Sequence, residues 1–175
     1  MRRVMLDTNA YAALLSGDTA VREALAIVSE VLLPIFVVGE LEAGFRGGTR
    51  YAENVAIFQR FLAKPGIRVV GSGHETARIY GEVKDSLKRA GTPVPANDIW
   101  IAATAIEHAA MLVTYDRHFA KIRQIRLWTG FPNDQLREAE LEYAVREAKQ
   151  DIKKGRIAAT SIAAHLAQVK PCRTK

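Results

Sequence analysis

Short uncharged apolar runs alternate along this chain with longer stretches in which apolar positions recur every three or four residues. Val4-Met5-Leu6 is the first such run and stops abruptly at Asp7-Thr8-Asn9, the signature of a buried strand giving way to a helix N-cap. A helix is expected next, then a periodic segment from Thr19 through Ser29. Val31-Leu32-Leu33 reads as a second buried strand, and Ile35 to Phe45 returns to helical spacing before Gly47-Gly48 ends it. Between Thr49 and Ala63 the positions Val55, Ile57, Phe58, Phe61 and Leu62 suit an amphipathic helix, with Lys64-Pro65-Gly66 as its stop and Ile67 to Val70 as a third strand.

A long helix is expected from about His74 to Arg89, closed by Gly91. Thr92-Pro93-Val94-Pro95 makes a stiff loop leading into a helix that begins near Asp98. Met111-Leu112-Val113-Thr114 is a fourth strand ending at Tyr115-Asp116, and Ile122 to Trp128 offers a fifth. Strands alternating with helices predict a mainly parallel sheet covered on both faces, an α/β fold of three α/β/α layers. The pattern changes near residue 133: Gln135 to Lys154 is a charged helical stretch, Gly155 breaks it, and Ile157 to Val169 is apolar and alanine-rich. The expected organisation is a domain over residues 1–132 and a helical C-terminal extension over 133–175.

Composition narrows the class without naming a function. At 175 residues and 49% hydrophobic, the chain has ample material for a packed core. A formal net charge of +6, spread evenly along the chain, favours a polyanionic partner only weakly. Its single cysteine, Cys172, excludes an intramolecular disulfide and a cysteine-based zinc site, and makes a reducing cytoplasm the natural compartment. No uncharged apolar run approaches the length that spans a bilayer, and the two early arginines precede too few apolar residues for a leader, so neither secretion nor membrane insertion is expected.

The chemistry resides in scattered acids. Ligands of open parallel sheets bind outside the carboxyl ends of the strands, and Asp7 and Asp116 stand at two such ends. Asp98 opens a helix at the same edge, and Glu40 lies in the helix after the second strand. Taken singly, Asp7 and Asp98 suit helix N-caps, Glu40 a solvated helix position and Asp116 a turn. Taken together, four carboxylates in one cleft repel each other and persist only with a compensating cation. Hard oxygen donors select Mg²⁺ or Mn²⁺, ions that serve phosphodiester hydrolysis by acidifying water and offsetting charge on the phosphate.

At these residues the sequence resembles the PIN-domain family, most closely its VapC toxin branch of toxin–antitoxin systems. The matching pieces are Leu6-Asp7-Thr8-Asn9, Gly39-Glu40-Leu41 with Gly44, Asn97-Asp98-Ile99-Trp100-Ile101-Ala102-Ala103, and Thr114-Tyr115-Asp116-Arg117-His118-Phe119, in the family's order. The likeness covers about residues 2–129. It implies that Asp7, Glu40, Asp98 and Asp116 are catalytic metal-binding acids, with Thr8, Asn9 and Thr114 as supporting polar neighbours. It further implies an Mg²⁺- or Mn²⁺-dependent endoribonuclease, an RNA substrate, a small antitoxin protein that blocks the cleft, and a homodimer.

Arg117, His118 and Lys121 beside Asp116, and Arg46 and Arg50 near Glu40, are candidates to hold RNA phosphates; each alone also reads as solvated surface charge. Trp100 suits either base stacking or the core. Within the extension, Glu147 to Ile157 resembles a segment of small antitoxins, so Arg146 or Arg156 is a candidate to fold back on the carboxylates; covering the core or a dimer face is the plainer expectation. Two other readings stay open: a PIN nuclease of RNA processing without a toxin role, and a flavodoxin-like module that binds Mg²⁺ without cutting. The flavodoxin-like module would not call for Glu40 and Asp98 together.

Overall fold

The computed structural model describes residues 3–129. The expected boundary at 132 and every expectation placed on the extension, including those for Arg146 and Arg156, lie outside the described residues. Five strands, β1 (Arg3–Leu6), β2 (Glu30–Pro34), β3 (Ile67–Val70), β4 (Met111–Val113) and β5 (Arg126–Trp128), form one sheet in the order β3-β2-β1-β4-β5. Every neighbouring pair is parallel. Six helices accompany them: α1 (Thr8–Leu15), α2 (Thr19–Ala26), α3 (Ile35–Gly47), α4 (Tyr51–Leu62), α5 (His74–Ala90) and α6 (Ala96–Glu107). Among the described residues no helix is long and apolar enough to cross a membrane.

The sheet carries the core. Val4, Met5 and Leu6 of β1, Leu32 and Leu33 of β2, and Leu112 and Val113 of β4 are all essentially inaccessible, as continuous apolar strands covered on both faces must be. Tyr11 of α1 meets Phe58 and Phe61 of α4 edge to face, at centroid separations of 5.4 and 5.2 Å. On α6, Ile99, Ile101, Ala102, Ala103 and Ala105 are buried; the small side chains of the three alanines let the helix lie close to its neighbours.

Three local readings need correction. Ile122 to Ile125 is not strand: Arg117–Lys121 forms a 3-10 helix whose Phe119 is buried, and Ile122 closes it, so β5 starts only at Arg126. The periodic segment that Thr19 was expected to cap is capped by Asp18, whose carboxylate accepts from the Val21 N–H at 2.9 Å, and Thr19 is the first residue of α2. Asp98 is not the cap of α6, because Pro95 takes that position and leaves Asp98 inside the first turn.

Strand order decides where a ligand belongs. The chain moves outward from β1 to β2 and β3, then crosses back to β4 and β5, so the direction of winding reverses between β1 and β4. A doubly wound sheet opens its crevice at that reversal, outside the carboxyl ends of the two strands. A flavodoxin-type sheet has the order 2-1-3-4-5, which this sheet does not share.

Candidate metal centre

Asp7 follows the last residue of β1 and caps α1. Its Oδ1 accepts from the Ala10 N–H at 2.6 Å, and its Oδ2 accepts from the Thr114 hydroxyl just beyond β4. Only 3% of Asp7 is exposed. Burial pushes its carboxyl up to about 6, the Thr114 and Ala10 donors oppose that rise, and the charges of Asp116 and Asp98 add to it. The capping reading and the cleft reading of Asp7 are therefore both realised in one side chain.

Thr114 ties the two strand ends together. While donating to Asp7, its hydroxyl oxygen accepts from the Asp116 N–H at 2.8 Å. Asp116 then turns the chain into the 3-10 helix, its Oδ1 accepting from the His118 N–H at 2.8 Å. Asp98 faces the same place from the first turn of α6. Burial raises its carboxyl above the ordinary range; Asp116 adds to the rise, His118 opposes it and Glu40 contributes further. That Asp7 and Asp98 are both raised in part by the charge of neighbouring acids means that they share one field of uncompensated negative charge.

Glu40 enters from α3 and is held from two sides. The Thr8 hydroxyl donates to its Oε2, and the Asn97 amide donates to its Oε1 at 3.0 Å. Thr8, expected as a supporting polar neighbour, serves Glu40. Asn97 was not picked out as a supporting residue. Its one signal in sequence is adjacency to Asp98, which puts it on the same helix turn. Asn9, on the first turn of α1, is exposed.

His118 also faces these acids. Its Nδ1 lies 3.3 Å from Asp116 Oδ1 and 3.6 Å from Asp98 Oδ2. One ligand atom from each of Asp98, Asp116 and His118 falls within 4.8 Å of the others. Asp98 Oδ2 is buried and has no hydrogen-bond partner. An anionic oxygen that has lost its water without gaining a donor costs several kcal/mol, and a cation is the group that repairs it. The residues present thus fit a hard divalent ion, which Asp98 and Asp116 would hold with Asp7 and Glu40 beside them.

The remaining candidates are less concentrated. Arg117 is exposed, and Lys121 reaches the Pro93 carbonyl at 3.5 Å. Arg46 sits 4.8 Å from the Tyr51 ring centroid, and Arg50 approaches Glu53 at 4.0 Å, so each has a neighbour of its own. Trp100 stacks nearly parallel to both Phe36, at 5.3 Å, and Tyr80, at 4.2 Å. Those contacts make it a packing element joining α3, α5 and α6.

Comparison with known proteins agrees with this geometry. The family model described as the PIN domain matches residues 4–125. "Ribonuclease VapC1" of Haemophilus influenzae strain R2866 is 26% identical over 132 residues, covering 71% of this chain and 97% of that protein. "Ribonuclease VapC4" of Mycobacterium tuberculosis is 29% identical over 103 residues, covering 58% of this chain and 75% of the relative. Among solved structures, VapBC-1 from nontypeable Haemophilus influenzae superposes with a TM-score of 0.67 at 22% identity, covering 73% of this chain and 98% of that one. DNA-bound VapBC from Salmonella typhimurium gives 0.65 at 26% identity, over 73% and 98% of the two chains.

Proposed function

Since the chain belongs to the PIN-domain family, we propose that it is an endoribonuclease that hydrolyses internal RNA phosphodiester bonds with a divalent cation, as the toxin of a VapBC-type pair. The observation that carries the reading is the convergence of Asp7, Glu40, Asp98 and Asp116 at the reversal of the sheet, with the buried Asp98 Oδ2 lacking any hydrogen-bond donor. Relatives named ribonuclease support the reaction, and the VapBC complexes among similar folds support an antitoxin partner. Mg²⁺ or Mn²⁺ is the ion that these oxygen donors suit.

Asp98 and Asp116 would hold the ion, with Asp7 and Glu40 completing its surroundings. When bound, the ion acidifies water and offsets negative charge on the phosphate and the leaving oxygen. The chain's own residues supply position. Asp7 is locked by Ala10 and Thr114, and Glu40 by Thr8 and Asn97, so neither carboxylate has to reorganise when RNA arrives. Arg117 and Lys121, on the 3-10 helix that Asp116 caps, form the basic rim that draws the RNA backbone toward an acidic site. A homodimer and a cytoplasmic location complete the proposal.

The test is incubation with total RNA in Mg²⁺ or Mn²⁺, followed by mapping of the cut ends. Discrete internal cuts that vanish with a chelator are expected. A folded, metal-supplied protein that leaves every RNA intact would overturn the reading.

A further inference from the structure

We propose that His118 is a nitrogen ligand to the divalent cation, and that it biases the site toward Mn²⁺ over Mg²⁺. This rests on the metal-dependent reading above and adds to it a ligand that the four acids do not include.

Distance makes the case. A charged imidazolium pairing directly with a carboxylate closes to about 2.7–2.9 Å. Here Nδ1 stands at 3.3 and 3.6 Å from the Asp116 and Asp98 oxygens, beyond that range for both. Two neighbouring donor atoms bound at about 2.1 Å to one octahedral ion lie about 3.0 Å apart at 90°, and about 3.4 Å apart where the angle opens toward about 110°. Nδ1 thus stands from each oxygen at the spacing of a fellow ligand in a slightly opened site and not at that of a direct partner, and the three residues' ligand atoms lie within 4.8 Å of one another. Asp98 Oδ2 agrees: it is buried, it faces Nδ1, and it accepts no hydrogen bond.

Local structure presents the ring in this way. Asp116 caps the 3-10 helix by accepting the backbone N–H of His118, which places the two side chains on one side of a tight turn. The imidazole remains half-exposed, with its side chain at 47%, so an arriving ion can reach it from solvent. Imidazole is a ligand of first-row transition ions, of which Mn²⁺ binds it most weakly, whereas Mg²⁺ takes oxygen donors and keeps several of its waters. One nitrogen among carboxylates therefore discriminates between two ions that the acids alone would treat similarly.

The experiment uses the full chain loaded with Mn²⁺ and electron spin-echo spectroscopy, which registers nitrogen nuclei bound to the ion. Wild type, His118→Gln and Asp98→Asn are compared, with circular dichroism to verify folding and titrations to give affinities for Mn²⁺ and Mg²⁺. The expected result is a nitrogen signal in wild type that is lost in His118→Gln, with Mn²⁺ affinity falling at least about tenfold and Mg²⁺ affinity much less. Mn²⁺ bound with no nitrogen signal, or with the same signal in His118→Gln, would overturn the inference while an Asp98-dependent affinity left the nuclease reading standing. Mn²⁺ binding indifferent to both substitutions would overturn the two together.

Discussion

Thr114 donates its hydroxyl proton to Asp7, 107 residues earlier in the chain, and thereby joins the ends of adjacent strands β1 and β4 at the sheet's reversal. Because the same oxygen accepts from the Asp116 N–H, one fully buried threonine sets the spacing between two acids of the site. Replacing it with valine keeps the shape and removes the donor. Since the Thr114 bond lowers the Asp7 pKa, Thr114→Val is expected to raise it beyond about 6 and move the acid limb of cleavage to higher pH. A pH–rate profile of the variant checks this; an unmoved limb in a folded protein contradicts it.

Asp7 also gives the site a cost in stability. Its folded pKa, about 6, lies above its ordinary 3.8, so the folded state holds a proton that the unfolded state releases, and stability falls as pH rises through that window. Asp7→Asn removes the titration while keeping an acceptor for Ala10. The metal-free variant is expected to match wild type near pH 4 and to exceed it by roughly 1–3 kcal/mol at pH 7. Saturating Mn²⁺ should narrow the gap, because wild type, with the Asp7 charge beside the ion, gains more binding energy than the variant. Thermal unfolding across pH, with and without ion, checks both signs.

Glu40 depends on its two donors for aim. Asn97→Ala, on a solvent-facing position, is expected to leave the melting temperature nearly unchanged and to lower RNA cleavage by about 10–100-fold, as loss of a group that orients a ligand does. Thr8→Val should behave similarly. Cleavage assays on both variants, normalised to folded protein, test this.

Trp100 should act on stability and not on RNA. Packed against Phe36 and Tyr80, its replacement by alanine is expected to cost about 3 kcal/mol or more, while the folded fraction binds RNA as wild type does. Selective loss of RNA affinity without destabilisation would return Trp100 to the binding surface.

The fold was legible because its strands are unbroken apolar runs ending at an acid or a turn residue; Val4 to Asp7 and Met111 to Thr114 display both features. Helix ends at Gly47 and Gly91 followed for the same reason, Gly91 being left-handed at φ 64°. The 3-10 helix was not legible, since five residues carry too little periodicity to separate from a strand's approach. Positions of the acids came through, but their partners did not. Thr8 could not be assigned to Glu40, nor His118 to Asp98, because those contacts depend on how distant segments meet.

The claim on which all of this depends is that the acids gathered at the β1–β4 edge drive cleavage. Its most direct measurement is the rate of Mn²⁺-supported RNA cutting by Asp7→Asn, Asp98→Asn and Asp116→Asn, each verified as folded. Each is expected to lose at least about a thousandfold, some 4 kcal/mol of transition-state stabilisation. A folded Asp98→Asn protein that cut the same bonds at the wild-type rate would contradict the account.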